Sequence, residues 1–256
     1  ATATITVVKD TLIDKPIVGT STGTGSINNT GSVTVSGIES NGKWEFSTDG
    51  GQTWKPGTGN AISGAELKEG DNTITVKQTD AAGNVATATI TVVKDTLIDK
   101  PIVGTSTGTG SINNTGSVTV SGIENNGKWE FSVDGGQTWK PGTGGAISGA
   151  ELKEGDNSVT VKQTDAAGNV ATATITVVKD TLIDKPIVGT STGTGSINNT
   201  GSVTVSGIES NGKWEFSTDG GQTWRPGTGG AISGAELNEG DNTVTVKQTD
   251  AAGNVA

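Results

Sequence analysis

The sequence predicts an all-β protein made of small two-layer sandwiches repeated in tandem. Three observations carry that reading. First, the 256-residue chain is one 85-residue unit written three times: residues 1–85, 86–170 and 171–255 align without a gap, and Ala256 begins a fourth copy. A period of 85 is longer than the roughly 20–50 residues of solenoid repeats, and long enough for each copy to hold a core of its own. Second, the apolar residues fall in short alternating runs such as Val33, Val35 and Ile74, Val76, the period of a half-buried strand. Third, these runs are separated by turn residues, drawn from 41 glycines and abundant Thr, Ser, Asn and Asp, at intervals typical of β-sandwiches.

The elements follow in order along the first copy. Residues 1–8 alternate small or apolar residues with Thr and read as a strand. Residues 9–16 carry two Asp and Pro16 and read as a linker. Ile17 and Val18 suggest a short edge strand, and the Gly-, Ser- and Thr-rich residues 20–29 a loop. Residues 31–37 alternate with Val33 and Val35 inward. Asn41-Gly42 is a turn signal. Residues 43–47 alternate with Trp44 and Phe46 inward, and Asp49-Gly50-Gly51 is a tight hairpin leading into Trp54. Residues 61–67 supply one more short strand, and residues 72–79 a long one with Ile74 and Val76 inward. Asp80 to Asn84 form a turn with Gly83 at positive φ, and residues 85–93 the last strand. About seven strands in two antiparallel layers fit an immunoglobulin-like sandwich. The expected core is Val33, Val35, Ile38, Trp44, Phe46, Trp54, Leu67, Ile74, Val76, Ile90 and Val92.

The acidic, Pro-containing stretch is the natural boundary between beads. It sets domains at 10–94, 95–179 and 180–256, with residues 1–9 as the last strand of a preceding repeat and the third domain lacking its own. Domains joined end to end in this frame would span on the order of 100–130 Å. An orphan strand at one end and an open sheet edge at the other predict sticky ends, hence self-assembly through end strands besides contact with neighbouring identical repeats.

Composition narrows the function classes. The chain has no Cys, His or Met, so thiolate chemistry, disulfide staples and the commonest general base and transition-metal ligand are absent. Near-identical copies supply length or valency, whereas catalysis needs different residues at different places. The expectation is a protein that is not an enzyme and uses no organic cofactor. The net charge of −10 is spread as −3, −3 and −4 over the copies, which disfavours nucleic acid and anionic membrane as partners. No apolar stretch approaches the ~20 residues of a membrane span, and none reads as a signal peptide, so targeting and anchoring parts are expected elsewhere in any exported parent.

Three segments together resemble a known group. They are Lys43-Trp-Glu-Phe-Ser-Thr-Asp-Gly-Gly-Gln-Thr-Trp54, then Glu69-Gly-Asp-Asn with Lys77-Gln-Thr-Asp-Ala-Ala-Gly-Asn-Val85, then Thr91-Val-Val-Lys-Asp95-Thr. The combination, present in every copy, resembles bacterial Ig-like tandem repeats of large repetitive surface proteins, of the biofilm-associated and type I-secreted adhesin type. The resemblance implies an extracellular location at the bacterial cell surface or in a secreted filament. It also implies a stalk or extender role in cell adhesion, often with calcium stiffening the domain junctions.

Three sites are candidates. The first is a calcium site. One end of such a sandwich gathers Asp10 and Asp14, residues 39–41, and Asp80 with Asn84, and the preceding repeat brings counterparts of Asp49, Glu69 and Asp71. The second-copy set is Asp95, Asp99, Asp165 and Asn169, with Asp134 and Asp156 the counterparts of Asp49 and Asp71. The third-copy set is Asp180, Asp184, Asp250 and Asn254. Hard oxygen ligands in this number suit Ca²⁺, although Asp and Asn are also ordinary turn residues and no EF-hand spacing is present. The second is Ser47-x-Asp49-x-Gly51-x-Thr53-Trp54, the Asp-box pattern, expected to be a structural hairpin closed by Asp49. The third is Trp54, with Trp139 and Trp224, beside the Gly57 to Gly59 loop. An aromatic face there offers a glycan- or cell-binding alternative, set against packing of the ring on its own hairpin. The Thr ladder of residues 86–91 reads as an ordinary solvated strand face.

Overall fold

The computed structural model describes residues 1–256. The chain forms two compact units. One comprises Ala1–Pro101 with Gly122–Trp129 and Lys162–Thr172; the other comprises Ile102–Ser121, Glu130–Val161 and Ala173–Ala256. There is no α-helix long and apolar enough to cross a membrane.

The first unit contains one whole sandwich. Its strands are β1 Ile17–Thr20, β2 Ser26–Ile27, β3 Ser32–Ser36, β4 Lys43–Ser47, β5 Lys55–Pro56, β6 Ala61–Ser63, β7 Gly70–Thr79 and β8 Val85–Lys94. One sheet has the order β1-β3-β6 and the other β2-β8-β7-β4-β5. The long hairpin β7–β8 is antiparallel over ten residues, from Gly70 opposite Lys94 to Thr79 opposite Val85. β2 runs parallel to the end of β8, with Ser26 opposite Val93. Between the sheets lie Ile27, Val33, Val35, Trp44, Phe46, Ile62, Leu67, Ile74, Val76 and Val92, with Val18, Ile38 and Ile90 half-buried at the rim. Period-two alternation aims these side chains at one interior. The buried Lys94 closes one end of it by donating to the Leu67 carbonyl at 2.9 Å.

The aromatic pair is held by close approach of backbone. The Trp44 and Phe46 rings sit 6.3 Å apart, tilted by 41°, and Trp44 Nε1 donates to the Gly59 carbonyl at 3.3 Å. Gly57 lies flat on the indole: a Cβ there would meet Trp44 at 2.1 Å. Only glycine fits that place.

Three expectations need correction. Trp54 is not in the core. The Asp-box turn breaks the strand alternation, and the second hairpin arm pairs only through Lys55 and Pro56, which leaves Trp54 half-buried outside the sandwich. Residues 20–29 are not all loop, because β2 lies among them and Ile27 is fully buried. Residues 1–8 form no strand and are exposed, although the identical residues 86–93 lie in β8. β8 is held by pairing with β7 on one side and β2 on the other, and residues 1–8 have no such neighbours.

In the second copy, β9 Ile102–Thr105, β11 Ser117–Ser121 and β14 Ala146–Ser148 repeat the three-stranded sheet, and β10 Ser111–Ile112 runs parallel to β16 Val170–Lys179. β12 Lys128–Ser132, β13 Lys140–Pro141 and β15 Gly155–Thr164 complete the second copy's strands. The third copy forms β17 Ile187–Thr190, β18 Ser202–Ser206, β19 Lys213–Ser217, β20 Arg225–Pro226, β21 Ala231–Ser233 and β22 Thr245–Thr249. Its sheets are β17-β18-β21 and β20-β19-β22. β22 is half the length of β7, and Ile197, Leu237, Val244 and Val246 are only partly buried, unlike their first-copy counterparts.

Candidate metal centre and Asp-box hairpin

The centre is built on the turn after the long strand. Asp80 Oδ1 accepts from the Ala82 and Asn84 amides at 2.9 and 2.8 Å, and Oδ2 accepts from Asn84 Nδ2 at 2.7 Å. The Asn84 side chain is the main cause holding the Asp80 carboxyl below its ordinary range, with partial burial opposing it and the turn amides reinforcing it. Gly83, at φ 91°, allows the turn to close. Asp165 with Asn169 and Asp250 with Asn254 repeat the arrangement.

That turn then grips the incoming linker. Asn169 Nδ2 donates to the Asp95 carbonyl at 2.9 Å and Asn254 Nδ2 to the Asp180 carbonyl at 2.8 Å; the first-copy bond, Asn84 to Asp10, is longer at 3.2 Å. The Asp99 amide donates to Glu124 Oε1 at 3.2 Å, and the fully buried Gln163 donates to the Asp99 carbonyl while its Oε1 accepts from the Glu124 amide. Gln78 and Gln248 do the same for Asp14 and Asp184. A buried amide thus fixes the loop that carries the glutamate.

The result is a cluster of three carboxylates. Oxygens of Asp95, Glu124 and Asp165 lie within 4.8 Å of one another, as do those of Asp180, Glu209 and Asp250; the third member of each trio is buried and the others half-buried. Asp95 Oδ1 is partly used by the Leu97 amide at 3.0 Å, but each carboxylate keeps free lone pairs. Three like charges at this spacing repel, and a hard cation with oxygen preference relieves that repulsion. The donor set fits Ca²⁺ with water completing the shell.

Other expected ligands stand elsewhere. Asp14, Asp99 and Asp184 contribute backbone groups to the loop while their side chains are exposed. Asp71 and Asp156 are exposed on the long strands. Asp49 and Asp134 are consumed by their own hairpins. The preceding copy reaches the linker through other residues: Glu69 accepts from the Thr96 amide and hydroxyl at 2.9 and 3.0 Å, as Glu154 does from Thr181. Thr24 Oγ1 donates to the Ala166 carbonyl at 2.5 Å, and Thr109 Oγ1 to the Ala251 carbonyl at 2.6 Å. These threonines carry no signal in the sequence, because only the fold brings the 20–26 loop against the next copy's turn.

The Asp-box is a closed hairpin. Asp49 Oδ1 accepts from Ser47 Oγ, the Gln52 amide and the Thr53 amide at 2.7, 3.0 and 2.9 Å, and Oδ2 from Thr53 Oγ1 at 2.5 Å. The Thr53 hydroxyl is the main cause holding this carboxyl far below the usual range, followed by the Thr53 amide and Ser47. Trp54 Nε1 donates to the Gly51 carbonyl at 3.1 Å, as Trp139 does to Gly136 and Trp224 to Gly221. Lys77 Nζ stands 4.2 Å from the Trp54 ring centre and 2.8 Å from Glu45. The Gly57 to Gly59 loop belongs to Trp44 rather than to Trp54.

Comparison with known proteins adds the following. A BNR/Asp-box repeat matches residues 45–56, 130–141 and 215–226. No curated protein matches the chain. Among solved structures, the chain is similar to one bearing on host cell surface retention of a 1.5-MDa bacterial ice-binding adhesin, with 19% identity, 96% of each chain covered and a TM-score of 0.33. A Ca²⁺-stabilized adhesin that helps an Antarctic bacterium reach out and bind ice has 19% identity over 96% of this chain and 73% of that one, with a TM-score of 0.32. Fibronectin(III)-like modules of Clostridium thermocellum CbhA have 16% identity over 60% of this chain and 89% of that one, with a TM-score of 0.40.

Proposed function

We propose that this chain is a structural extender of a bacterial cell-surface adhesin or extracellular filament, whose copies are tied to one another by a repeated joint that calcium stiffens. The observation that carries the reading is the recurrence of one joint at the 85-residue period: Thr24 to Ala166 and Thr109 to Ala251, Asn169 to Asp95 and Asn254 to Asp180, Glu69 to Thr96 and Glu154 to Thr181. A joint made of side chains from both copies resists bending. The carboxylate trio beside it supplies a cation site that would tie linker, loop and turn together. On this reading the domains run 10–94, 95–179 and 180–256, a frame that the bonds to the linker residues Asp95, Thr96, Asp180 and Thr181 support.

On this reading the chain contributes length and no catalysis, and it sits outside the cell. The alternative, a multivalent glycan- or cell-binding module, meets a Trp54 ring that already has Lys77 over it. Small-angle scattering with calcium and with EDTA tests the proposal. The maximum dimension should shorten and the bend distribution broaden on chelation. Identical scattering and melting in both conditions would remove the calcium part. A glycan array hit abolished by Trp54, Trp139 and Trp224 substitutions would replace extension with binding.

A further inference from the structure

Each copy crosses from one sheet to the other through the same short turn, and the geometry of that turn dictates a chemically labile pair. β3 leads toward β4 through Glu39-Ser40-Asn41-Gly42, closed by the Gly42 amide, which donates to the Glu39 carbonyl at 2.9 Å. Asn41 sits at φ 68°, Asn126 at 64° and Asn211 at 67°, the only residues other than glycine in the left-handed region, which Asn enters more readily than most side chains. The next residue must be glycine, because a Cβ on Gly42, Gly127 or Gly212 would stand 3.0 Å from the carbonyl oxygen of Glu39, Glu124 or Glu209. The backbone thus selects Asn-Gly, in which no side chain on the second residue shields its nitrogen from the carboxamide of the first. The surroundings leave that carboxamide free. Asn41, Asn126 and Asn211 are exposed, and their side chains make no hydrogen bond. Asn28, Asn72 and Asn84 are held by bonds of their own, and the exposed Asn29 and Asn60 precede Thr30 and Ala61, not glycine. In the other pair of this kind, Asp49-Gly50, the carboxylate is locked onto Ser47 and Thr53.

We propose that Asn41, Asn126 and Asn211 are sites of spontaneous deamidation, a slow chemical clock set in the loop that carries the cluster glutamate. In the second copy, the bond from the Gly127 amide to the Glu124 carbonyl opens first. The Gly127 nitrogen loses its proton and attacks the side-chain carbonyl carbon of Asn126. A new C–N bond forms, the carboxamide C–N bond breaks, and the departing nitrogen takes up a proton and leaves as ammonia. Water then opens the five-membered imide at either carbonyl, giving aspartate or isoaspartate. The balance is one water consumed and one ammonia released, with no oxidant and no enzyme. Both products place a new carboxylate two residues from Glu124, whose oxygens already lie within 4.8 Å of those of Asp95 and Asp165, and like charges gathered there repel. Isoaspartate also lengthens the backbone inside a turn that lacks room for a Cβ. The hold of Glu124 on the Asp99 amide of the linker loosens with it. The chemistry is independent of the calcium reading, since it needs only the turn and water.

The test is to age the full chain for weeks at physiological temperature and mildly alkaline pH, without calcium, and to map its peptides by mass spectrometry. The peptides that hold Asn41, Asn126 and Asn211 should gain the mass of NH₂ exchanged for OH before any other asparagine changes, and isoaspartyl methyltransferase should label the same peptides. A synthetic peptide of residues 37–44, aged alongside, reports the rate without the fold. Conversion of that peptide while all three sites stay intact in the folded chain overturns the proposal, as does conversion that begins at Asn29 or Asn60. Thermal melts read the consequence. The aged chain should melt at a lower temperature than the fresh one. A chain with Asn41→Gly, Asn126→Gly and Asn211→Gly, which keeps the positive φ and removes the carboxamide, should melt alike before and after ageing. A chain that is converted at all three sites yet melts as the fresh one does overturns the loosening of the loop.

Discussion

The two tryptophans of each copy should differ sharply in what they contribute to stability, and the difference can be worked from their surroundings. Trp44, Trp129 and Trp214 are 7 to 8% exposed. Burying an indole removes roughly 200 Å² from water, which at ~25 cal/mol/Å² is about 5 kcal/mol, an upper figure because unfolded chains are partly collapsed. Replacement of Trp44 by Ala also leaves a cavity beneath Gly57, so a cost of about 3–5 kcal/mol per copy is expected. Trp54 is half-buried outside the sandwich, with one bond to Gly51 and the Lys77 ammonium over its face. Trp54→Ala should cost about 0.5–1.5 kcal/mol. Two variants of the full chain test this, one with Trp44, Trp129 and Trp214 changed to Ala and one with Trp54, Trp139 and Trp224 changed. In urea, with a slope of about 1 kcal/mol/M for domains of this size, the first should lose several molar of midpoint or be unfolded in buffer. The second should move by about 1 M. Equal shifts, or a larger one for the Trp54 set, would refute the placement of the rings.

Gly57→Ala should destabilise by about 1–3 kcal/mol, because its Cβ would overlap the indole, and a thermal melt reads the loss. Below about pH 4 the Asp-box hairpins should weaken. The Asp49 carboxyl is depressed in the fold, so its contribution is complete above the unfolded value and is lost as pH falls toward the folded one; an Asp49→Asn chain should show a shallower acid transition in circular dichroism. Gln163→Ala leaves the Glu124 amide and the Asp99 and Gly122 carbonyls without their partner and should cost about 1–3 kcal/mol. The same change should weaken calcium binding by isothermal titration, since it frees the glutamate loop.

Much of this architecture was legible in the residues. Alternation located Val33 and Val35, Trp44 and Phe46, and Ile74 and Val76 on one face, because a long strand states its period. β2 was not legible. Two residues in a Gly-Ser-Thr stretch have no period, and what makes Ser26–Ile27 a strand is its distant partner at Val93–Lys94. Ile62 was hidden for a like reason, as a single apolar residue in a three-residue strand. Trp54 misled because its hairpin spends residues on turning, which shifts the parity of everything after Asp49. At the carboxylate cluster, Asp of the turn and Asp of the linker stand out in the sequence as oxygen donors, and the glutamate loop reads as their neighbour. End-of-sandwich geometry alone suggests Asp49 and Asp71 there as well, and it does not reveal that Asp49 is spent on Ser47 and Thr53.

The parallel contact of β2 with the end of β8 has a mechanical consequence. The Val93 and Asp95 amides bond the Gly25 and Ile27 carbonyls at 3.0 Å each, close to where the chain leaves the sandwich. Tension applied between β2 and the end of β8 along their common direction would load both bonds in shear, so that they would resist together instead of unzipping singly. A sandwich pulled in that direction would hold until both bonds gave way at once.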